Sequence, residues 1–436
     1  MVMKDINVAN EFTEQKRIDD PIVKNIVQDY TAELDMKSIS DVLLLPPDIT
    51  RKHSGTGLLT AFLYAIFKKA KKEINIDIMP ALGTHNPMTE KEIEDMFGSD
   101  IPRENFIIHK WREDTVNIGT IPGDFVEQAA EGKVNFPIEV NINKRLLDES
   151  YDLIISVGQV LPHEVVGMAN FNKNVFVGCG GEDIINKSHY VGAVYGMERL
   201  LGRAFSPVRE LYNYADENFL PDIPLVYLLT VNSTDINPET GLTDIKGLYF
   251  GNDKKTYKKA AKLSREQNIT WLENPVDKIV VFLDEEEFKS TWLGCKAIYR
   301  TRKIISDGGE IIIIAPGLKQ FGEDKKIDTL IRKYGYVGRE RVIELVEENE
   351  ELRANLSVAA HLIHGSSNGR FKVTFGSEHL SAEEIQNVNF SYTPLNELMN
   401  KYDIQKLKPG LNNLDAEDIY YVANPATGLW DLEKNR

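Results

Sequence analysis

Two histidines and an arginine stand where loops are expected to follow strands, and their side chains suit acid–base chemistry on a small carboxylate. His85 lies in Gly83-Thr-His85, His163 follows Pro162, and Arg51 ends the segment Asp48-Ile-Thr-Arg51. Imidazole titrates near neutral pH, so it can accept or donate a proton under ordinary conditions. Arginine presents a planar fork that matches a carboxylate. From the residues alone, we predict an enzyme that acts on a small carboxylate by acid–base chemistry.

The elements that must position these side chains alternate between strands and helices. Residues 74–78 alternate as a strand that leads to His85, and Thr89-Glu-Lys-Glu92 is a capping-box pattern that begins the next helix. A second buried-strand pattern, at 152–158, comes shortly before His163. Ligands of open α/β sheets bind in loops at the carboxyl ends of strands. We therefore predict an α/β fold with mainly parallel or mixed sheets flanked by helices.

A break in this pattern near 270–277, at Asn274 and Pro275, indicates a domain boundary. We predict an N-terminal α/β cofactor-binding and catalytic domain at 1–272 and a C-terminal α/β domain at 275–410. The tail, 411–436, is expected to pack on the first domain, and the active site to lie in the interdomain cleft. The second domain is predicted to contain two long helices, over 285–305 and 337–353.

The composition excludes several classes of protein. The chain has 436 residues, 42% of them hydrophobic, and a formal net charge of −16. We therefore expect a large globular core and no nucleic-acid or membrane partner. The charged N-terminal segment lacks a signal-peptide pattern, and Cys179 and Cys295 are the only cysteines. These features predict a cytoplasmic protein without a disulfide framework, and they leave the oligomeric state open.

Three short motifs are set aside because their surroundings are wrong. Gly365-Ser-Ser-Asn-Gly369 fits the pattern of a hydrolase nucleophile elbow, but a helix is expected before it and a strand after it, the reverse of that elbow. Gly178-Cys-Gly-Gly181 lacks the third glycine of a dinucleotide fingerprint. His361 and His364 can share a helical face, but a structural role is the better interpretation because no third ligand is near in sequence.

The order and spacing of the remaining motifs resemble the lactate racemase family, whose members use a nickel-pincer nucleotide. The resemblance rests on Asp48-Ile-Thr-Arg51, on Gly83-Thr-His-Asn-Pro-Met-Thr89 and on Pro162-His163, followed by Lys173 and then by His189. It extends over most of the chain. It implies a racemase or epimerase that inverts C2 of a 2-hydroxy acid by reversible hydride transfer to the cofactor.

The resemblance also implies a role for each matched residue. His85 and His163 would be the paired acid/base catalysts, and Arg51 would bind the substrate carboxylate with help from Lys296. Lys173 would carry the cofactor covalently, Asp48 would orient the cofactor or Arg51, and His189 would bind the nickel ion. Sulfur and imidazole ligands suit square-planar nickel. The implied partners are a small 2-hydroxy acid and the enzymes that make the cofactor.

Two departures from the family pattern leave the substrate open. Asn170-Phe-Asn172 replaces the Gly-Gly-Arg that usually precedes the tethering lysine, and Leu293 replaces a glutamine three residues before Lys296. One alternative is therefore a sugar-acid 2-epimerase with the same chemistry. A second is a non-catalytic protein that binds or stores the cofactor, although storage requires Lys173 and His189 but no pair of bases.

Overall fold

The structure is a computed structural model that describes residues 6–220, 223–414 and 417–436. The first five residues of the charged N-terminal segment and residues 415–416 of the predicted tail lie outside the described residues. The chain divides into two compact units. Unit 1 comprises Met1–Ser188 and Gly202–Asn268, and unit 2 comprises His189–Leu201 and Ile269–Arg436. No helix in the described part of the chain is long and apolar enough to cross a membrane.

The regular elements alternate along most of the chain. The strands are β1 (Asn7–Lys16), β2 (Asp41–Leu45), β3 (Asn75–Ile78), β4 (Thr115–Ile121), β5 (Ile138–Asn143), β6 (Leu153–Gln159), β7 (Pro162–His163), β8 (Gly167–Met168), β9 (Leu225–Ile236), β10 (Thr243–Gly251), β11 (Ile269–Leu272), β12 (Val276–Phe282), β13 (Ile305–Ile314), β14 (Lys372–Gly376), β15 (Ser391–Tyr392), β16 (Gly410–Leu414), β17 (Glu417–Val422) and β18 (Leu429–Leu432). The helices are α1 (Pro21–Ala32), α2 (Thr56–Ala70), α3 (Glu90–Phe97), α4 (Gly123–Ala129), α5 (Glu182–Tyr195), α6 (Met197–Leu200), α7 (Pro207–Phe219), α8 (Lys254–Asn268), α9 (Thr291–Gly294), α10 (Lys296–Thr301), α11 (Lys325–Tyr334), α12 (Arg339–Glu348), α13 (Glu350–Arg353), α14 (Leu356–Gly365), α15 (Ala382–Asn387) and α16 (Leu395–Lys401).

Unit 1 is built on a six-stranded mixed sheet in the order β1-β10-β9-β6-β2-β3. The strands β9, β6, β2 and β3 run parallel, and β10 and β1 extend the sheet in antiparallel pairing. All seven residues of β6 are buried, as expected for a strand covered on both faces. The mixed sheet confirms the α/β fold class predicted from the sequence.

The helix that follows the His85 loop begins as its sequence predicts. The Thr89 side chain accepts a hydrogen bond from the backbone of Glu92, whose own side chain accepts from the Thr89 backbone, so that a complete capping box starts α3. Ile93 and Phe97, on one face of α3, are buried in the core of unit 1. The capping box and the buried face together fix where the loop ends.

Unit 2 contains a second six-stranded sheet in the order β15-β14-β13-β12-β17-β16. All of its neighbouring strands are parallel except β16 and β17. The prediction that the tail packs on the first domain is wrong for β17, which pairs with β12 of unit 2. β18 pairs with β11, which belongs to unit 2 although its residues fall within the predicted first domain. The cleft remains a prediction.

The two long helices predicted in the second block are shorter in the structure. Only α9 and α10 form within 285–305, because Ser290 caps α9 with its side chain and Thr291 is the first helical residue. The second helix is interrupted at Asn349, whose extended backbone separates α12 from α13. Helical periodicity continues across such breaks, so the sequence pattern alone does not reveal them.

Candidate active site

The candidate catalytic residues of unit 1 follow the carboxyl ends of its parallel strands. Asp48 follows β2, His85 follows β3, and His163 and Lys173 follow β6. The chain passes from β2 to β3 on one side and later returns to β6 on the other side of β2. The direction in which the chain adds successive strands to the sheet therefore reverses between β2 and β6. Ligands of open α/β sheets bind at such a topological switch point.

Asp48 and His85 form a carboxylate–imidazole pair in which the carboxylate is buried and the ring is exposed. The Asp48 Oδ2 atom lies 2.5 Å from Nδ1 of His85, and the exposed fractions of the two side chains are 6% and 55%. Asp48 also begins a 3₁₀ turn, where its Oδ1 accepts hydrogen bonds from the backbone and hydroxyl of Thr50. Burial raises the pKa of Asp48, but hydrogen bonding and charge from His85, then Thr50 and Arg51, outweigh burial and hold the pKa below its usual value. The carboxylate is thus ionised and oriented toward His85. Its hydrogen-bond partners are His85 and Thr50, and its role in orienting the cofactor or Arg51 remains a prediction.

The loop that carries His85 is anchored to the segment that follows Lys173. The backbone N–H of Gly83, a residue with φ of 56°, donates to the carbonyl of Gly178 over 2.8 Å. A Cβ atom on Gly178 would lie 2.7 Å from Cβ of Ala81, so the close approach requires glycine there. Asn174 fastens the same segment to the sheet, because its Nδ2 donates to the Leu45 carbonyl and to the Ser156 hydroxyl.

His163 is held in a short hairpin with its ring orientation set by the backbone. β7 pairs with β8 in antiparallel register, and the N–H of Val165 donates to Nδ1 of His163 over 3.1 Å. The His163 side chain is 11% exposed, and Glu164 Oε2 lies 3.8 Å from Nδ1. Because Nδ1 accepts a hydrogen bond, the neutral ring carries its proton on Nε2.

Lys173 has the environment of a reactive amine. Burial, followed by the positive charge of Arg51, lowers the pKa of Lys173 to about 8, while Glu164 acts in the opposite direction. Arg209 and Asp48 also act on the lysine through their charges. At pH 7.5 roughly a quarter of the amine is neutral with this pKa, against about one part in a thousand for an ordinary lysine. The neutral amine is the nucleophilic form.

Arg51 lies within the 3₁₀ turn that Asp48 begins. Its backbone departs from helical geometry, with φ of −112° and ψ of 19°, and it is partly buried. The charge of Arg51 acts on both Asp48 and Lys173. Arg51, Asp48, His85 and Lys173 therefore form one charged cluster in unit 1, linked by these interactions and by the Asp48–His85 hydrogen bond.

The two remaining predicted site residues belong to unit 2. His189 is partly buried in α5. Lys296 is the first residue of α10, its side chain is 14% exposed, and its Nζ lies 3.9 Å from Glu287 Oε1 and 5.5 Å from the ring centre of Phe288. The roles of His189 in nickel binding and of Lys296 in substrate binding remain predictions.

The histidines set aside in the sequence analysis are buried in unit 2. His361 is 7% exposed and His364 is 4% exposed. Nε2 of His361 lies 2.8 Å from the Tyr336 hydroxyl, and its ring packs against Trp292. Across the residues that the structure describes, no three His, Cys, Asp or Glu side chains are grouped to hold a metal ion. The structural interpretation of His361 agrees with these contacts.

Two contributors to the site were missed in the sequence analysis. Thr50, which hydrogen-bonds Asp48, lies within the quoted Asp48-to-Arg51 motif and could have been singled out as the residue two places after an N-cap aspartate. Arg209, on α7, touches the backbone just before Lys173. No local signal distinguishes Arg209, because its partners are 37 to 41 residues away in sequence.

The N-terminal part of the chain is similar in sequence to lactate racemases. Residues 1–199 match the lactate racemase N-terminal domain family. The chain is 26% identical over 187 residues to lactate racemase of Thermoanaerobacterium thermosaccharolyticum, a match that covers 42% of this chain and 39% of that protein. It is 25% identical over 185 residues to lactate racemase of Lactiplantibacillus plantarum, with 41% and 39% covered. The chain thus spans about two fifths of the length of these curated relatives.

Solved structures with the same fold extend the likeness to nearly the whole chain. A Thermotoga maritima protein is matched with a TM-score of 0.78 at 24% identity, over 94% of this chain and 97% of that one. The lactate racemase apoprotein of Thermoanaerobacterium thermosaccharolyticum is matched with a TM-score of 0.67 at 17% identity, over 93% and 88%. At these identities the two matches establish the shared fold.

Proposed function

Because this chain is a lactate racemase relative whose residues 1–199 match that family's N-terminal domain, we propose that it is a racemase or epimerase that inverts C2 of a 2-hydroxy acid. The observation that carries the proposal is the difference in hydrogen bonding between the two candidate histidines. His85 presents Nδ1 to a buried carboxylate, whereas His163 accepts a backbone N–H at Nδ1. A residue pair prepared in this way suits proton removal by one partner and proton delivery by the other.

The hydrogen bonds assign opposite tautomers to the neutral rings. Asp48 accepts from Nδ1 of His85, so Nε2 of that ring carries the lone pair and can remove the proton of the substrate hydroxyl. His163 accepts at Nδ1, so its neutral ring carries the proton at Nε2 and can hydrogen-bond the hydroxyl oxygen on the other face. To act as the acid, His163 must first take up a second proton from solvent at Nδ1, which replaces the Val165 hydrogen bond, and its imidazolium then gives the Nε2 proton to that oxygen. In the reverse reaction the neutral His163 removes the hydroxyl proton and the His85 imidazolium supplies one. Asp48 stabilises the imidazolium that His85 becomes after it accepts a proton.

Arg51 is the proposed anchor for the substrate carboxylate. Its guanidinium belongs to the same charged cluster as Asp48 and Lys173, and a bidentate contact would fix the substrate in one orientation. We propose Lys296 as a second cation for that carboxylate. Holding the carboxylate in place while C2 changes configuration lets both histidines reach the same hydroxyl group.

The residues present fit the cofactor that the family uses. Lys173 combines partial burial with a pKa of about 8, which is the chemistry needed for an amine that becomes covalently attached. His189 would supply one imidazole ligand for nickel, because the other donor atoms belong to the nucleotide. When bound, a nickel-pincer nucleotide supplies a reversible acceptor for the C2 hydrogen as hydride, so the substrate carbon passes through a 2-oxo acid.

A protein that only stored the cofactor would have no use for the Asp48–His85 pair. The buried carboxylate costs desolvation free energy, and its orientation of His85 is of value where protons move. The identity of the 2-hydroxy acid, lactate or a larger sugar acid, is decided by a substrate screen.

The experiment is an enantiomer-interconversion assay on protein produced together with the cofactor biosynthetic enzymes. A panel of 2-hydroxy acids is followed by chiral chromatography for the wild type and for H85A, H163A and the control H379A, whose histidine is exposed in unit 2. We expect interconversion of at least one acid by the wild type and by H379A, and a loss of at least about a hundredfold in the other two variants. Full activity in H85A or H163A would contradict the proposed roles.

A further inference from the structure

The turn that leads into Lys173 has a strained backbone. Asn170 has φ of 63° and Phe171 has φ of 58°, so two successive residues adopt the left-handed conformation. Asparagine visits this region, but a bulky residue such as phenylalanine does so only when its surroundings compel it. The strain lies two residues before the proposed tether, Lys173.

Arg209 reaches this turn from α7 and binds two of its backbone carbonyl groups. It is 1% exposed. Nη2 donates to the Met168 carbonyl over 2.7 Å and to the Asn170 carbonyl over 3.2 Å. Nη1 also donates to the Asn170 carbonyl over 3.2 Å and to Oδ1 of Asn172. One guanidinium thus ties together three residues of the segment 168–172.

Aromatic packing holds the other side of the turn. The Phe171 ring is 2% exposed. It stacks on Tyr257 with 5.1 Å between ring centres and packs at a tilt against Tyr227 with 4.4 Å between ring centres. The guanidinium carbon of Arg209 lies 4.4 Å from the ring centre of Tyr257. Arg209 and Phe171 therefore both pack against the ring of Tyr257. This packing offsets the unfavourable left-handed backbone conformation of Phe171.

We propose that Arg209 is a positioning residue, which clamps the left-handed turn at Asn170–Phe171 and so presents Lys173 for attachment of the cofactor. The clamp itself concerns the apoprotein. Its consequence for cofactor attachment rests on the function proposed above, in which Lys173 is the tether.

The geometry requires a guanidinium rather than a simple positive charge. Two nitrogens of the planar Arg209 guanidinium donate hydrogen bonds to three acceptors, which are the carbonyls of Met168 and Asn170 and the side-chain oxygen of Asn172. A lysine at the same position has one nitrogen and cannot reach all three in the same way. Asn172 is fully buried at the other end of the hydrogen bond with Arg209, so a longer side chain at 172 could enter the space that an alanine at 209 leaves.

The test is hydrogen–deuterium exchange of the segment 168–174 in the full-length apoprotein. The amide of Phe171 donates to Oδ1 of Asn170, and that of Asn174 to the Phe171 carbonyl, so both amides report on the turn. The variants are R209A, the milder R209K, the double variant R209A/N172R, and the control R300A. Arg300 is a matched control because it is also buried and also donates to backbone carbonyls, but within unit 2.

We expect the two amides to exchange at least tenfold faster in R209A and R209K and within twofold of the wild type in R300A. In R209A/N172R the guanidinium is supplied by residue 172, the former acceptor of the Arg209 hydrogen bond. This double variant should restore the exchange rates to within threefold of the wild type. On co-expression with the cofactor biosynthetic enzymes, the fraction of protein carrying a Lys173 adduct should fall at least tenfold in R209A and recover in R209A/N172R.

Unchanged exchange in both R209K and R209A would overturn the clamp, and so would failure of N172R to restore protection. If R209A exchanges faster but forms the Lys173 adduct normally, the proposal that the clamp presents Lys173 for cofactor attachment is overturned. If the wild type itself gains no adduct while the exchange results are as expected, the proposed function fails and the clamp stands.

Discussion

Replacement of Asp48 by asparagine tests the electrostatic contribution of the Asp48–His85 pair to catalysis. The substitution keeps the shape of the side chain and removes the charge that faces Nδ1 of His85 at 2.5 Å. Two unit charges about 4 Å apart attract by about 4 kcal/mol at an effective dielectric constant of about 20. Because the His85 side chain is 55% exposed, we halve this figure for solvent screening, to about 2 kcal/mol. That energy corresponds to about a thirtyfold lower kcat for D48N.

The assay is the rate of enantiomer interconversion under saturating substrate, with thermal unfolding recorded alongside. T50V is the matched control, since it removes the hydroxyl that donates to Asp48 Oδ1 but leaves the carboxylate facing His85. We expect T50V to lose less than about fivefold, because a single neutral hydrogen bond contributes about 1 kcal/mol. If D48N retains activity within threefold of the wild type while both variants stay folded, the argument that Asp48 stabilises the His85 imidazolium is refuted.

The remaining predictions concern Lys173 and Arg51. Labelling of Lys173 in the apoprotein by an amine reagent, followed by peptide mass spectrometry, should show a midpoint near pH 8, and a midpoint near 10 would contradict the proposed environment. Since the pKa of Lys173 in the folded protein is below its usual value, the unfolded chain binds more protons between about pH 8 and 10.5, and stability should rise with pH through that window. K173M should accordingly raise the free energy of unfolding at pH 7 by about 1–3 kcal/mol in denaturant titrations, and a lower stability would count against the burial of the amine. R51K should raise KM for the 2-hydroxy acid by at least about tenfold, because lysine lacks the bidentate fork, whereas the exposed control K52R should leave KM unchanged.

Local patterns predicted the elements that carry His85 and His163. The alternation at 74–78 and the capping box at Thr89 and Glu92 are properties of adjacent residues, and the structure has β3 and α3 at these positions. The apolar run that became β6 is likewise visible because a strand buried on both faces must be apolar throughout. The loop between such elements is thereby located without knowledge of the tertiary structure.

What the sequence did not reveal depends on contacts between distant residues. The tail pairs as β17 with β12 across more than a hundred residues, and no local pattern encodes that register. The pairing of Asp48 with His85 was not predicted, because that histidine is 37 residues away. Arg209 was overlooked for the same reason. Its significance appears only when Asn170 and Phe171 are seen in the left-handed conformation.

The departure Asn170-Phe-Asn172 also has a physical explanation that its sequence alone does not give. Phenylalanine at a left-handed position is unfavourable taken alone, yet here its ring packs on Tyr227 and Tyr257. The cost of the backbone conformation is offset by burial of an aromatic side chain. The altered residues therefore form a coherent unit before Lys173 and do not disrupt the turn.

The most direct test of the account is turnover of a C2-protiated 2-hydroxy acid in D₂O by protein that carries the Lys173 adduct. Enantiomer composition and deuterium at C2 are measured together on the same samples. We predict that the enantiomers interconvert while the C2 hydrogen is largely retained, because it moves as hydride and only the hydroxyl proton passes through His85 and His163. Rapid incorporation of deuterium at C2, or no interconversion of any 2-hydroxy acid by the loaded protein, would contradict it.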